Sequence, residues 1–115
     1  MWELGTAIGC CNKSIQDCIE SKWLIQNQES PIIYRSNEIV TATGVIDMTS
    51  ATEGIQQITV LFWINRTMVT QYTLQHLQSF GFTVSDFDTI QLVGNGCMTD
   101  IARGNFTLIP RYRDV

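Results

Sequence analysis

The run Ser79-Phe80-Gly81-Phe82-Thr83-Val84-Ser85 alternates apolar and polar residues without a break. Successive side chains of an extended chain point to opposite faces, so Phe80, Phe82 and Val84 share one face and Gly81, Thr83 and Ser85 the other. That period describes a half-buried strand and not a helix. Phe106 and Leu108 repeat it, and similar short runs broken by Gly, Asn, Ser and Pro recur from Ile15 onward. Strands are predicted near Ile15–Trp23, Pro31–Tyr34, Ile39–Met48, Gln57–Ile64, Met68–Gln75, Ser79–Val84, Thr89–Val93 and Asn105–Tyr112. Eight short strands suit two packed antiparallel sheets, so the expected fold is all-β, an eight-stranded jelly-roll β-sandwich. Leu74-Gln75-His76-Leu77 has a competing reading as a single helical turn.

One strand carries too much apolar surface. In Ile58-Thr59-Val60-Leu61-Phe62-Trp63-Ile64, the residues Ile58, Val60, Phe62 and Ile64 fill one face while Leu61 and Trp63 emerge on the other. An overlying loop, the N-terminal arm or a neighbouring subunit must cover them, and a subunit interface is expected at Leu61 and Trp63.

The first eleven residues contain Gly5 and Gly9 and show no alternation. They read as an extended arm, which divides the chain into a connector over 1–13 and one β domain over 14–115. Fully extended, eleven residues span at most roughly 35–40 Å. A domain of this size has a radius of gyration near 13 Å, so the arm is long enough to cross a neighbouring subunit.

The arm ends in Cys10-Cys11, and the other cysteines are Cys18 and Cys97. Vicinal cysteines are poor partners, because a trans peptide holds their Cα atoms about 3.8 Å apart and a relaxed disulfide needs roughly 4.4–6.8 Å. Two thiols on the arm therefore face two on the body, in the same chain or in neighbouring ones. A domain this long does not need disulfides to fold.

With a net charge of −4 and only Lys13 and Lys22 as lysines, the chain has no basic cluster for nucleic acid or anionic lipid. The longest apolar stretch, Ile58 to Ile64, is far short of the ~18–20 residues of a membrane helix. Ala7-Ile8-Gly9-Cys10 superficially matches a lipoprotein cleavage box, yet Met1-Trp2-Glu3-Leu4-Gly5 starts with an acid and leaves little room for an apolar core. No signal peptide is expected. Cysteine use points to an oxidising final location, reached by lysis or by an unconventional route.

Candidate chemistry is thin. Four thiols without paired C-x₂₋₄-C spacing make a poor zinc site. Cys97 with His76 offers a nucleophile and a base, but a lone histidine in a β chain is usually a packed or surface ring. Asp86 and Asp88 suit a turn beside Phe87 better than calcium or acid/base work. Asn65-Arg66-Thr67 and Asn105-Phe106-Thr107 match glycosylation sequons, a triplet common by chance. No phosphate loop or nucleophile elbow is present, so no enzyme, cofactor or metal is expected.

The Cys10-Cys11 arm, Asp17-Cys18-Ile19-Glu20 with Trp23 after it, Ile32-Ile33-Tyr34, Thr43-Gly44, Ser79 through Val84 and Phe87-Asp88-Thr89-Ile90 together resemble the subunits of endospore appendages. These are pilus-like fibres on the spores of Bacillus-group bacteria. The likeness spans nearly the whole chain, with the Cys-Cys arm its most specific part. It implies a jelly-roll subunit of a self-assembling fibre on the spore surface, assembled in the mother cell and released by lysis. The resemblance makes Cys10 and Cys11 the connector thiols and Cys18 an acceptor on a neighbour's first strand. In the helical type of fibre the second acceptor lies in the last strand, where this chain has Thr107; its remaining thiol, Cys97, falls in the preceding loop. That departure favours the ladder-like type of stacked rings, and Pro110 in the last strand agrees with it. The alternative is a monomeric ligand- or carbohydrate-binding β-sandwich with two intrachain disulfides. Joining Cys11 to Cys18 in one chain needs a sharp reversal, for which Asn12-Lys13 is a thin turn signal.

Overall fold

The computed structural model describes residues 18–26, 29–94 and 100–112. The arm over 1–13, with Cys10 and Cys11, and the loop cysteine Cys97 lie outside the described residues. Seven strands are present among those described: β1 (Ile19–Gln26), β2 (Ile32–Asp47), β3 (Ser50–Ala51), β4 (Gln57–Ile64), β5 (Thr67–Gln75), β6 (Ser79–Gly94) and β7 (Ile101–Tyr112). All ladders are antiparallel, and the order across the sheet is β1-β7-β2-β6-β4-β5, with β3 pairing to β7. The all-β expectation is met.

The strand count differs from the sequence reading for a physical reason. The predicted strands Pro31–Tyr34 and Ile39–Met48 merge, without Pro31 and Met48, into one continuous β2, and Ser79–Val84 and Thr89–Val93 into one continuous β6, each 16 residues long. Both bend. The β2/β6 register shifts between Arg35 and Val40 and again before Ala42, and Asp86 on β6 has a φ of 58°. Such bulges kink a ladder without ending it. The Val40–Ile46 half of β2 pairs with β7, which carries β1, whereas the Thr89–Gly94 half of β6 pairs with β4, which carries β5. One hydrogen-bonded sheet thus folds over itself into two layers.

Burial follows the alternation and marks the bend. Val40, Ala42 and Ile46 on β2, Ile58, Val60 and Phe62 on β4, and Phe82 and Val84 on β6 are buried at period two. The phase then slips, because the next buried residues of β6 are Phe87, Ile90 and Leu92. Phe62 closes the sandwich: its ring centroid lies 5.1 Å from that of Phe82 in the other layer and 5.1 Å from that of Phe87 at the bend. Tyr72 on β5 adds an edge contact to Phe62 at 5.9 Å. Phe80 and Ile64, both expected in the core, are only half-buried; Phe80 packs on its rim against Tyr72, at 5.0 Å, and Ile64 ends its strand.

A second junction fixes β1. The Trp23 indole N–H donates to the Asp47 carbonyl at 2.9 Å, and the Asp47 carboxylate accepts from the Asn105 amide at 2.8 Å. Gly104 is required there, since a Cβ would overlap the Asp47 carbonyl and press on the Trp23 ring. The hairpin between β4 and β5 turns on Asn65 and Arg66, whose φ values of 47° and 68° suit the two-residue type I′ connection. The segment Leu74–Leu77 is not helical: β5 runs to Gln75, and Leu77 takes a φ of 55° in a tight turn.

Phe62→Ala removes the ring that joins the two layers and is expected to cost about 3–5 kcal/mol. Urea unfolding followed by circular dichroism reads this directly. A loss below about 1 kcal/mol would mean that the layers are held by other contacts.

Candidate assembly surfaces

Cys18 directly precedes β1, is half-buried and is disulfide-bonded in the single chain. Its position is set by the ladder that starts one residue later, where Ile19 pairs with Leu108. β7 therefore extends past the start of β1, and Pro110 sits in that extension opposite Ala42. A proline is tolerated there because a missing N–H matters least where a ladder has ended. Thr107 lies inside β7 between Glu20 and Val45. No cysteine stands in β7.

Apart from the two-residue β3, which pairs only with β7, two strands have a neighbour on one side only among the described residues: β1 at one end of the order and β5 at the other. Edges of this kind are normally guarded by charge or proline. β1 carries Glu20 and Lys22. β5, Thr-Met-Val-Thr-Gln-Tyr-Thr-Leu-Gln, carries neither charge nor proline. The β4/β5 register shifts between Phe62 and Trp63, leaving Val69 as an extra residue opposite the shift. Met68 and Val69 are 48% and 39% exposed, so this edge shows apolar surface as well as unpaired backbone.

Leu61 and Trp63 fall on the outer face of the layer that β4 and β5 form, opposite the buried Ile58, Val60 and Phe62. Both are half-buried. Cross-strand register builds a patch around them: Met68, Trp63, Thr89 and Arg35 lie in one row across four strands, and Gln71, Leu61, Gln91 and Ile32 in the next. Ile32, Arg35, Trp63, Arg66, Thr89 and Gln91 line a pocket of about 250 Å³. The Trp63 indole N–H is buried without an acceptor. An unmet donor of this kind costs about 1–3 kcal/mol. Ile32 is 45% exposed at the pocket rim. The sequence reading found Leu61 and Trp63 by alternation but missed Ile32, Arg35 and Arg66, which reach the same patch only through strand pairing and a hairpin turn.

Other candidates have ordinary structural work. His76 Nδ1 lies 2.7 Å from the Ile55 carbonyl, which makes Nδ1 the protonated donor. Asp88 accepts from the Asn65 amide at 3.1 Å and from the Thr89 hydroxyl at 2.8 Å, tying the β4–β5 turn to the bend. Asp86 supplies the bend itself. Among the described residues no group of three or more His, Cys, Asp or Glu side chains is placed to hold a metal, and no helix is long and apolar enough to cross a membrane.

Burying an aromatic ring such as that of Trp63 in a contact is worth about 2–3 kcal/mol. Trp63→Ser is expected to keep the fold, because the ring is outside the core, and to shift assembly toward monomer in light scattering. A variant that assembles at the original concentration would show that this patch is covered from within its own chain.

The profile of the family described as endospore appendages matches residues 8–113. A solved structure, from work describing Bacillus endospore appendages as a novel family of disulfide-linked pili, superimposes with a TM-score of 0.64. It is 23% identical in sequence, and the match covers 94% of this chain and 98% of that one. No curated protein matches the chain.

Proposed function

Because the chain belongs to the endospore appendage family, we propose that it is a structural subunit of a spore-surface fibre, built by edge pairing and locked by disulfides through its N-terminal arm. The observation that carries this reading is the pair of open edges at opposite ends of the strand order, with Cys18 at the start of one of them. The family is one of appendage subunits and not of enzymes.

Edges β1 and β5 are different surfaces, so joining β1 of one copy to β5 of the next is a heterologous contact that propagates into a ring or a helix. Main-chain hydrogen bonds supply the attraction, as in other cases of strand addition. Glu20 and Lys22 place charge on the β1 edge, while the β5 edge is uncharged, so the two edges differ in chemistry as well as in position.

The arm then acts on Cys18 of another copy. A thiolate of Cys10 or Cys11 attacks the Cys18 sulfur, a new S–S bond joins the chains, and the former partner leaves as a thiolate. No external oxidant is consumed in that exchange. Cys97 is the second acceptor in this reading; its bond to the other arm thiol forms from two thiols and consumes a two-electron oxidant, such as dioxygen outside the cell. With Thr107 in β7 where the helical type of fibre has its acceptor, stacked rings bridged by arms are the favoured arrangement. Edge pairing forms first; disulfides follow where conditions are oxidising, as they are outside the cell after lysis of a mother cell.

Cys10→Ser together with Cys11→Ser is expected to abolish the ladder of covalent multimers on a non-reducing gel, while edge-paired species persist and become concentration-dependent. A covalent ladder from the double variant would refute the arm as connector. Dispersed monomers with intact disulfides from the unaltered protein would instead favour a binding module with intrachain bridges.

A further inference from the structure

The pocket at Trp63 combines two large apolar side chains, Trp63 and Ile32, with two arginines, Arg35 and Arg66. Thr89 and Gln91 complete its lining, and the Ile32 side chain is exposed. Neither guanidinium has a carboxylate partner among the described residues. Asp88, the nearest acid in sequence to this wall, is engaged by the Asn65 amide and the Thr89 hydroxyl. Gln91, also in the wall, has its side-chain amide committed to the Ser30 carbonyl at 3.0 Å. The Trp63 N–H is still without an acceptor. A volume near 250 Å³ is well above the ~30 Å³ share of one water, so the pocket admits side chains and not only solvent.

We infer that this pocket receives Trp2-Glu3-Leu4 from the arm of a second copy, with Glu3 between Arg35 and Arg66 and the flanking apolar side chains against Trp63 and Ile32. Charge and length select this occupant. Glu3 is the sole charged side chain in the first twelve residues, in a chain whose net charge of −4 makes a pocket with two unpaired arginines unusual. Its neighbours Trp2 and Leu4 are the large apolar residues such a pocket wants. Eight Cα-to-Cα steps join Trp2 to Cys10, a reach of at most about 29 Å. The body measures 43 × 37 × 16 Å, so an arm fixed at Cys10 spans much of a subunit from its anchor. The inference rests on the arm acting between copies; it adds a non-covalent seat, used before the disulfide closes, that sets where the cysteines arrive.

Replacing Trp2 of the full chain by p-benzoylphenylalanine and irradiating the assembled protein tests this. After reduction, a dimer that survives on the gel is expected, with residue 2 joined to a peptide containing 32–35 or 63–66. Arg35→Glu with Arg66→Glu should lower its yield about threefold to tenfold, the range for an exposed charged contact, and Glu3→Arg in the same chain should restore it. Raising the salt should lower it too. Cross-links that map elsewhere on a neighbour, or only within one chain, would overturn the pocket assignment while leaving interchain disulfides in place. Absence of interchain disulfides from the unaltered assembly would overturn the connector reading and this inference together.

Discussion

The packing of Phe62 against Phe82 and Phe87 is the contact on which the rest of the molecule depends. A single antiparallel sheet has one apolar face and nowhere to bury it unless it folds over. Phe62 lies in one layer, Phe82 in the other and Phe87 at the bend between them, with ring centroids 5.1 Å apart in both pairs. Edge-to-face rings at such separations add to area burial through their quadrupoles. The bulges of β2 and the positive φ of Asp86 are the local cost of this closure, offset by the core that it creates.

Folding one sheet over itself also determines what is left outside. A barrel would have removed its edges; this sheet ends at β1 and β5, and both ends are available to other chains among the described residues. β5 shows what selection against self-pairing normally removes, an uncharged strand with exposed Met68 and Val69. In a free-standing binding module that edge is a liability. In the fibre proposed above, it is the edge that pairs with the next copy.

Much of this was legible in the residues. Gln57–Ile64 reads as a strand to the residue, because Ile58, Val60 and Phe62 fill one face without a gap. The slip in phase from Val84 to Phe87 and Ile90 is visible in the sequence too, yet alternation alone cannot tell a bend from a break. Alternation therefore divides β2 and β6 each in two, although hydrogen bonds run through both. Ser50–Ala51 is too short to have a period. The Trp63 patch was half legible: outward placement follows from the pleat, but Arg35 reaches Trp63 only through Thr89, a pairing fixed by long-range register. The arm is a different case, since its length and its vicinal cysteines argue for a connector by reach and by bond geometry, without any fold.

The central claim is that Cys18 is bonded between copies in the mature fibre. It is tested most directly by assembling a mixture of ¹⁴N- and ¹⁵N-labelled chains, digesting without reduction and weighing the peptides that contain Cys18. The account predicts disulfide-linked pairs in which Cys18 of one isotope is joined to Cys10 or Cys11 of the other. Pairs of a single isotope only, with Cys18 joined within its own chain, would contradict it.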